Sequence, residues 1–334
     1  MAYQNVSTPR FYIDKTAYLR ATGIARPDNP DNSSTTFDED CFGLGASNPY
    51  SFNTGNGGDK YIDLRNYNNT LHFEAYNFIA MLGHNLKTME DAYNWIRLAW
   101  SDGAYMETGV NDGAEMAINT FDESFSSANY DGFSIMPFTE FNEPHYDMYL
   151  SINDTVENSV IQLGRVAIGK YYEMPVAPDL SLSLEHDYSG IKKTTSMSGA
   201  SFSNANWIKP PKWGDKEAWQ LGDFPRPYSG RRVWDLSFNY LDSDDLEPSH
   251  YDMDENTVEN TWKDNWFSNV IHYTMGGALP FIFQPNKDAT YQITNGEITS
   301  IPELAICRFD MDTFTREQVA PNVYNIKVKI KETW

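Results

Sequence analysis

Residues 231–241 read RRVWDLSFNYL, and this stretch decides the fold class. Trp234, Leu236, Phe238 and Tyr240 alternate along it with mostly polar residues. A period of two puts successive side chains on opposite faces of a β-strand, so the four apolar residues are predicted to face a core. The stretch is therefore predicted to form a half-buried antiparallel strand.

The same period of two recurs along the chain. Near the C-terminus the alternating apolar residues are Tyr324, Ile326, Val328 and Ile330, and in the middle of the chain they are Leu180, Leu182 and Leu184. Further strands are predicted at 60–65, 71–82, 93–100, 132–138, 145–152, 160–168, 280–284 and 303–310. Short turns rich in Asn, Asp, Gly and Pro separate these strands, as is typical of β-sandwiches. The sequence predicts a mainly β protein.

One substantial helix is predicted at about 256–275. Its apolar residues recur at roughly helical spacing: Val258, Trp262, Trp266, Val270 and Tyr273. Asp254 and Glu255 lie near its start, where the helix dipole favours negative charge, and two glycines, Gly276 and Gly277, offer a C-cap.

Two prolines within MPVAPD, residues 174–179, separate two strand-rich halves. We therefore predict two β-sandwich-like modules, 1–178 and 179–334. The first carries a long N-terminal loop region over residues 25–58, and the second carries the predicted helix and a long loop at 205–229.

The loop at 205–229 contains four prolines and three tryptophans, Trp207, Trp213 and Trp219. Large aromatic side chains on a proline-stiffened loop suit an interface, because they bury much area against a partner. The alternative is that they fold back over their own sheet. These three tryptophans are the predicted interface or ligand contacts.

The charge of the chain limits its partners. Its 334 residues carry a formal net charge of −22. Binding to nucleic acid or to an anionic membrane surface needs clustered Lys and Arg, so neither partner is expected. No run approaches the ~20 apolar residues of a membrane-spanning helix, and the N-terminus lacks the pattern of a signal peptide. The two cysteines, Cys41 and Cys307, are predicted to be free thiols.

No catalytic residue and no cofactor are predicted. The six histidines form neither H-x-H nor H-E-x-x-H, and there is no nucleophile elbow or phosphate-binding loop. With 47 acidic residues, no pair of carboxylates stands out as a glycosidase pair. Residues 28–34 and 242–245 are rich in Asp, which leaves an incidental Ca²⁺ as an alternative. The chain is interpreted as not being an enzyme.

His84 lies in FIAMLGHNLK, residues 78–87, where an apolar run stops at Gly-His-Asn. Gly83 accepts a positive φ and Asn85 tolerates one, so the chain is predicted to end a buried strand here. His84 has no partner for catalysis in the local sequence. It is interpreted as a structural histidine.

The first half resembles a known architecture. Residues 78–86, followed by a strand with Trp95, Ile96 and Leu98, resemble a pattern in the galactose-binding-like jelly rolls of bacteriophage virion proteins. IQLGRVAIGKYYEMP, residues 161–175, resembles the closing strand of that unit. The resemblance covers about residues 10–178 and implies a jelly-roll module.

The second half is similar to small distal-tail and tail-tip proteins of phages. The similarity is carried by residues 231–241, the predicted helix, GGALPFIFQP at 276–285, CRFD at 307–310 and the final alternating strand. It implies a virion structural protein of the marine tailed-phage kind, in a tail, tail-tip/baseplate or neck. Its partners would be copies of itself and other virion proteins, after assembly in the host cytoplasm.

Three functions follow as hypotheses. The first is a virion structural protein that acts through oligomeric assembly. The second is a carbohydrate-binding module for host adhesion, because aromatic side chains on a jelly roll can stack on the sugars of host surface glycans. The third is a glycan-degrading enzyme.

Overall fold

The protein is described from a computed structural model. It describes residues 6–22, 50–53, 58–63, 77–84, 95–101, 116–117, 132–137, 147–154, 160–179, 183–189, 191–204, 212–213, 216–217, 230–247, 265–289, 292–294, 297–300 and 303–333.

Strands dominate these residues, so the prediction of a mainly β protein is confirmed. Before residue 178 the strands are β1 Arg10–Asp14, β2 Tyr50–Asn53, β3 Gly58–Asp63, β4 Phe78–His84, β5 Trp95–Ser101, β6 Met116–Ala117, β7 Gly132–Pro137, β8 Asp147–Asp154, β9 Val160–Leu163 and β10 Arg165–Glu173. After it they are β11 Ser183–Asp187, β12 Lys192–Thr195, β13 Ser201–Asn204, β14 Lys212–Trp213, β15 Lys216–Glu217, β16 Arg231–Asp242, β17 Phe281–Gln284, β18 Gln292–Thr294, β19 Glu297–Ser300, β20 Ala305–Phe309, β21 Arg316–Ala320 and β22 Val323–Glu332.

One antiparallel sheet of ten strands organises the fold. Its order is β11-β16-β22-β20-β17-β1-β10-β4-β7, and β21 pairs with β22 beside this path. The remaining strands form a four-stranded sheet, β3-β8-β5-β6, and four two-stranded sheets, β2-β9, β12-β13, β14-β15 and β18-β19.

The central strands of the large sheet are buried on both faces. In β1, Phe11 belongs to a core cluster with Trp234 and Phe283, whereas its neighbour Tyr12 belongs to a second cluster with Phe78. Successive residues of a strand point to opposite faces, so the two clusters lie on the two sides of the sheet. This explains why residues 281–283 and 305–307 are continuously apolar instead of alternating.

The large sheet crosses the predicted module boundary. Residues of β1 pair on one side with β10 and on the other with β17, where Phe11 lies opposite Phe283. The larger core cluster also draws on both predicted modules, through Tyr172 and Met174 on one side and Trp234 on the other. The division at residue 178 stays a prediction, but main-chain hydrogen bonds and a shared core join the two parts.

The helices differ from the prediction. The longest described helix is α1, Lys15–Thr22, and no helix was predicted at these residues. Asp14 begins it, because the Oδ1 atom of Asp14 accepts the Ala17 N–H at 3.0 Å. A second helix, α2, is the single turn Ser243–Leu246.

The predicted helix at 256–275 is seen only in part, because residues 256–264 lie outside the described residues. Asn265 is not helical, and its Oδ1 accepts the Ser268 N–H at 2.8 Å as a cap. A π-helical turn, Phe267–Ile271, follows. Trp266 and Val270 are buried in the larger core cluster, as their spacing predicts.

The strand end at His84 is confirmed. β4 ends at this residue, Gly83 has a φ of 68°, and the pairing with β7 shifts register between Leu82 and His84. His84 is buried. Gly83 therefore forms a β-bulge in β4 directly before His84.

The predicted burial of Tyr240 is wrong. The pairing of β16 with β22 shifts register between Phe238 and Leu241, and the extra residue moves Leu241 inward. Tyr240 is 78% exposed and Leu241 is fully buried. The alternation holds for Trp234, Leu236 and Phe238, which are all buried.

Candidate functional site

Only one of the three predicted tryptophan contacts, Trp213, lies among the described residues. Trp207 and Trp219 lie outside them. Trp213 belongs to the short strand β14, which pairs with β15 so that Trp213 lies opposite Lys216. The contact role of these three residues stays a prediction.

A projecting hairpin forms a first candidate site. Strands β12 and β13 pair from Lys192 opposite Asn204 to Thr195 opposite Ser201. The tip closes through a hydrogen bond from the Ser196 N–H to the Ala200 carbonyl, at 2.8 Å. We call residues 192–204 the arm. Its two strands form a sheet of their own, and every residue of β12 is exposed.

The arm exposes apolar side chains. Met197 at its tip is fully exposed, and Phe202 is 61% exposed. The arm also differs from the rest of the chain in charge, because it contains Lys192 and Lys193 and no acidic residue, whereas the whole chain carries −22. It therefore presents a basic and apolar surface on an acidic protein.

The bulge at Tyr240 forms a second candidate site. The φ of Tyr240 is 63°, in the left-handed region that non-glycine residues rarely adopt. The Asn325 side chain holds this conformation by accepting the Tyr240 N–H at 3.3 Å. The bulge directs a large aromatic side chain outward from the sheet.

Acidic and apolar residues accompany Tyr240. Asp242 ends β16 and Asp244 lies in α2, and both are exposed. Val319 of β21, two strands away across β22, is 47% exposed. We call Tyr240, Asp242, Asp244 and Val319 the bulge patch. Arg316 of β21 also lies in this region, and it forms an ion pair with Glu247.

A polar cluster joins α1 to the π-helical turn. The Tyr18 hydroxyl and the His272 Nε2 atom lie 2.9 Å apart, and the Lys15 ammonium lies 4.8 Å from the centre of the Tyr273 ring. Burial lowers the pKa of His272, and the positive charge of Lys15 lowers it further. The cluster thus keeps a neutral imidazole between two packed elements.

A buried ion pair joins the end of β1 to the start of β10. The Arg165 Nη2 atom donates to the Asp14 Oδ2 atom at 2.6 Å, and both side chains are almost fully buried. The cavity beside them has a free volume of about 10 Å³, which is room for about one water molecule. This space is too small for a substrate or a cofactor.

Within the described ranges, no three His, Cys, Asp or Glu side chains converge in a way that could hold a metal ion. Residues 242–245, an Asp-rich stretch considered for Ca²⁺, instead form the end of β16 and α2. The other such stretch, 28–34, lies outside the described residues, as does Cys41. Cys307 is buried and is not part of a disulfide bond, as predicted.

No helix among the described residues is long and apolar enough to span a membrane. In comparisons with known proteins, no family model, no curated protein and no solved structure matches the chain.

Sequence reasoning missed both candidate sites. The arm has a signal in the sequence, because residues 191–204 contain no acidic residue in a chain with 47 of them. The bulge at Tyr240 has no signal in the sequence, because a register shift depends on how β16 pairs with the partner strand β22.

Proposed function

We propose that the chain is a structural component of a tailed-bacteriophage virion, in a tail, tail-tip/baseplate or neck. It acts by assembling with copies of itself and with other virion proteins. The sequence resemblance of both halves to phage virion proteins supports this setting.

The observation that carries the proposal is the arm. A two-stranded hairpin has little stability in water by itself, because neither face is covered. Met197 and Phe202 lie on it in solvent. A neighbouring subunit that covers these side chains stabilises the arm and gains apolar contact area. A protruding arm of this kind suits assembly.

Mass photometry of the purified chain, together with peptide mass spectrometry of purified virions, tests the proposal. We expect oligomers in solution and peptides of this chain in the particles. The double variant M197S/F202S removes the apolar contacts and is expected to weaken self-association by about tenfold or more.

The matched control is S198A/S203A, which changes two polar residues of the same arm and is expected to leave self-association intact. A chain that stays monomeric and is missing from virions would contradict the proposal. Binding to host-surface glycans that is lost when Trp207, Trp213 and Trp219 are replaced would support the adhesion function instead.

A further inference from the structure

The arm and the bulge patch lie at opposite ends of one strand. β11, which precedes the arm, ends at Asp187, opposite Arg231 at the start of β16. Tyr240 lies near the other end of β16. A strand rises about 3.3 Å per residue, so about 30 Å of β16 separates the root of the arm from Tyr240.

The arm does not cover the bulge patch of its own chain. Met197 is fully exposed and Tyr240 is 78% exposed, so neither packs on the other. Both surfaces are left for contacts between chains.

The two surfaces are complementary in charge and in polarity. The arm offers the ammonium groups of Lys192 and Lys193 with the side chains of Met197 and Phe202. The bulge patch offers the carboxylates of Asp242 and Asp244 with the apolar surfaces of Tyr240 and Val319. Opposite charges around an apolar contact favour one partner and one orientation.

Contacts between like surfaces are disfavoured. An arm meeting a second arm would place lysines against lysines, and a bulge patch meeting a second bulge patch would place aspartates against aspartates. The strained backbone at Tyr240 costs free energy in the isolated chain, and such strain is often retained where the side chain contacts a partner.

We propose that the arm of one copy binds the bulge patch of the next copy, so that the chain assembles head to tail. The inference rests on the proposed function and names the partner of the arm. Because donor and acceptor surfaces differ, the contact is heterologous, and it closes into a ring or extends as a filament.

Two variants separate the two surfaces. K192Q/K193Q removes the positive charge of the arm and keeps the bulge patch. Y240G/D244K removes the exposed ring, reverses one charge of the bulge patch and keeps the arm. Glycine adopts a positive φ without strain, so we expect the thermal midpoint of Y240G/D244K to stay within about 2 °C of the wild type. The matched controls are K192R/K193R and Y240F, which keep charge and ring.

Sedimentation velocity measures the outcome. Each of the two variants alone is expected to associate at least about tenfold more weakly than the wild type, and the controls are expected to associate normally. An equimolar mixture of the two is expected to form heterodimers and nothing larger, because each pair holds a single intact arm and a single intact bulge patch.

Three results would overturn the inference. They are a wild-type chain that is monomeric, variants that assemble as the wild type does, and a mixture that remains monomeric. A wild-type oligomer that both variants preserve, in a chain found in virions, would leave the proposed function standing and reject only this contact.

Discussion

A single residue, His272, makes the stability of this fold depend on pH. Its imidazole is held between α1 and the π-helical turn by the Tyr18 hydroxyl, and burial together with Lys15 lowers its pKa. An unfolded histidine has a pKa near 6.5, so between that value and the lower folded pKa the unfolded state binds more protons. Stability contributed by His272 is therefore present above about pH 6.5 and is lost as the pH falls.

We predict that His272→Asn weakens the loss of stability between pH 7.5 and pH 5. Asparagine keeps a polar side chain at this position but does not titrate. Urea unfolding at the two pH values measures the difference. Tyr18→Phe is the control, since it removes the hydrogen bond and leaves a titrating imidazole. An equal pH dependence in His272→Asn and the wild type would contradict the prediction.

At the scale of elements, the packing of β1 against β10 depends on Gly169. This glycine lies opposite Asp14 in the register, and a Cβ placed on it would lie 2.0 Å from the Ile13 carbonyl oxygen. The two backbones therefore approach each other more closely than any side chain permits.

Gly169→Ala is predicted to destabilise the protein by about 3 kcal/mol, because the backbone of β1 must move to admit the methyl group. Chemical denaturation measures this value. Gly276→Ala serves as the comparison, since no atom lies within 4 Å of its added Cβ and only its φ of 66° is unfavourable. That variant is expected to lose about 1 kcal/mol. Similar losses in both variants would argue against close approach as the cause.

At the scale of the whole molecule, the ten-stranded sheet makes the two halves depend on each other. β1 contributes Phe11 to the larger core cluster, where its ring centre lies 5.1 Å from that of Trp266 and 5.2 Å from that of Phe283. A fragment of residues 179–334 lacks this strand and leaves β17 unpaired on one side.

We predict that residues 1–178 and 179–334 do not fold when each is expressed alone, and that the large sheet of the intact chain unfolds in one transition. Circular dichroism and limited proteolysis of the fragments, with the full chain as the control, provide the measurement. A fragment with a cooperative thermal transition of its own would show that the halves are independent modules.

Periodicity in the sequence identified the strands whose two faces differ. Ile326, Val328 and Ile330 face a core while Lys327 and Lys329 do not. The alternation of apolar and polar residues in β22 therefore matches the alternation of buried and more exposed side chains. The same holds for most of β16. The positive φ of Gly83 could also be predicted from the sequence, because glycine adopts such a conformation without strain.

The helix α1, the outward direction of Tyr240 and the exposure of the arm could not be predicted without the tertiary structure. α1 is short, and the burial of Lys15 and Thr16 in it gives no apolar pattern to detect. The outward direction of Tyr240 depends on where β22 pairs with β16, and the exposure of the arm depends on which strands cover one another.

By itself the sequence determined that this is a mainly β protein, because the alternation of side chains along a strand is a local property. Only the tertiary structure decided that both halves share one sheet and which apolar side chains remain outside it. Strand order and register arise from hydrogen bonds between segments far apart in the chain, such as β1 and β17. A hairpin turn can fix the register of two neighbouring strands, but no such turn connects these distant segments.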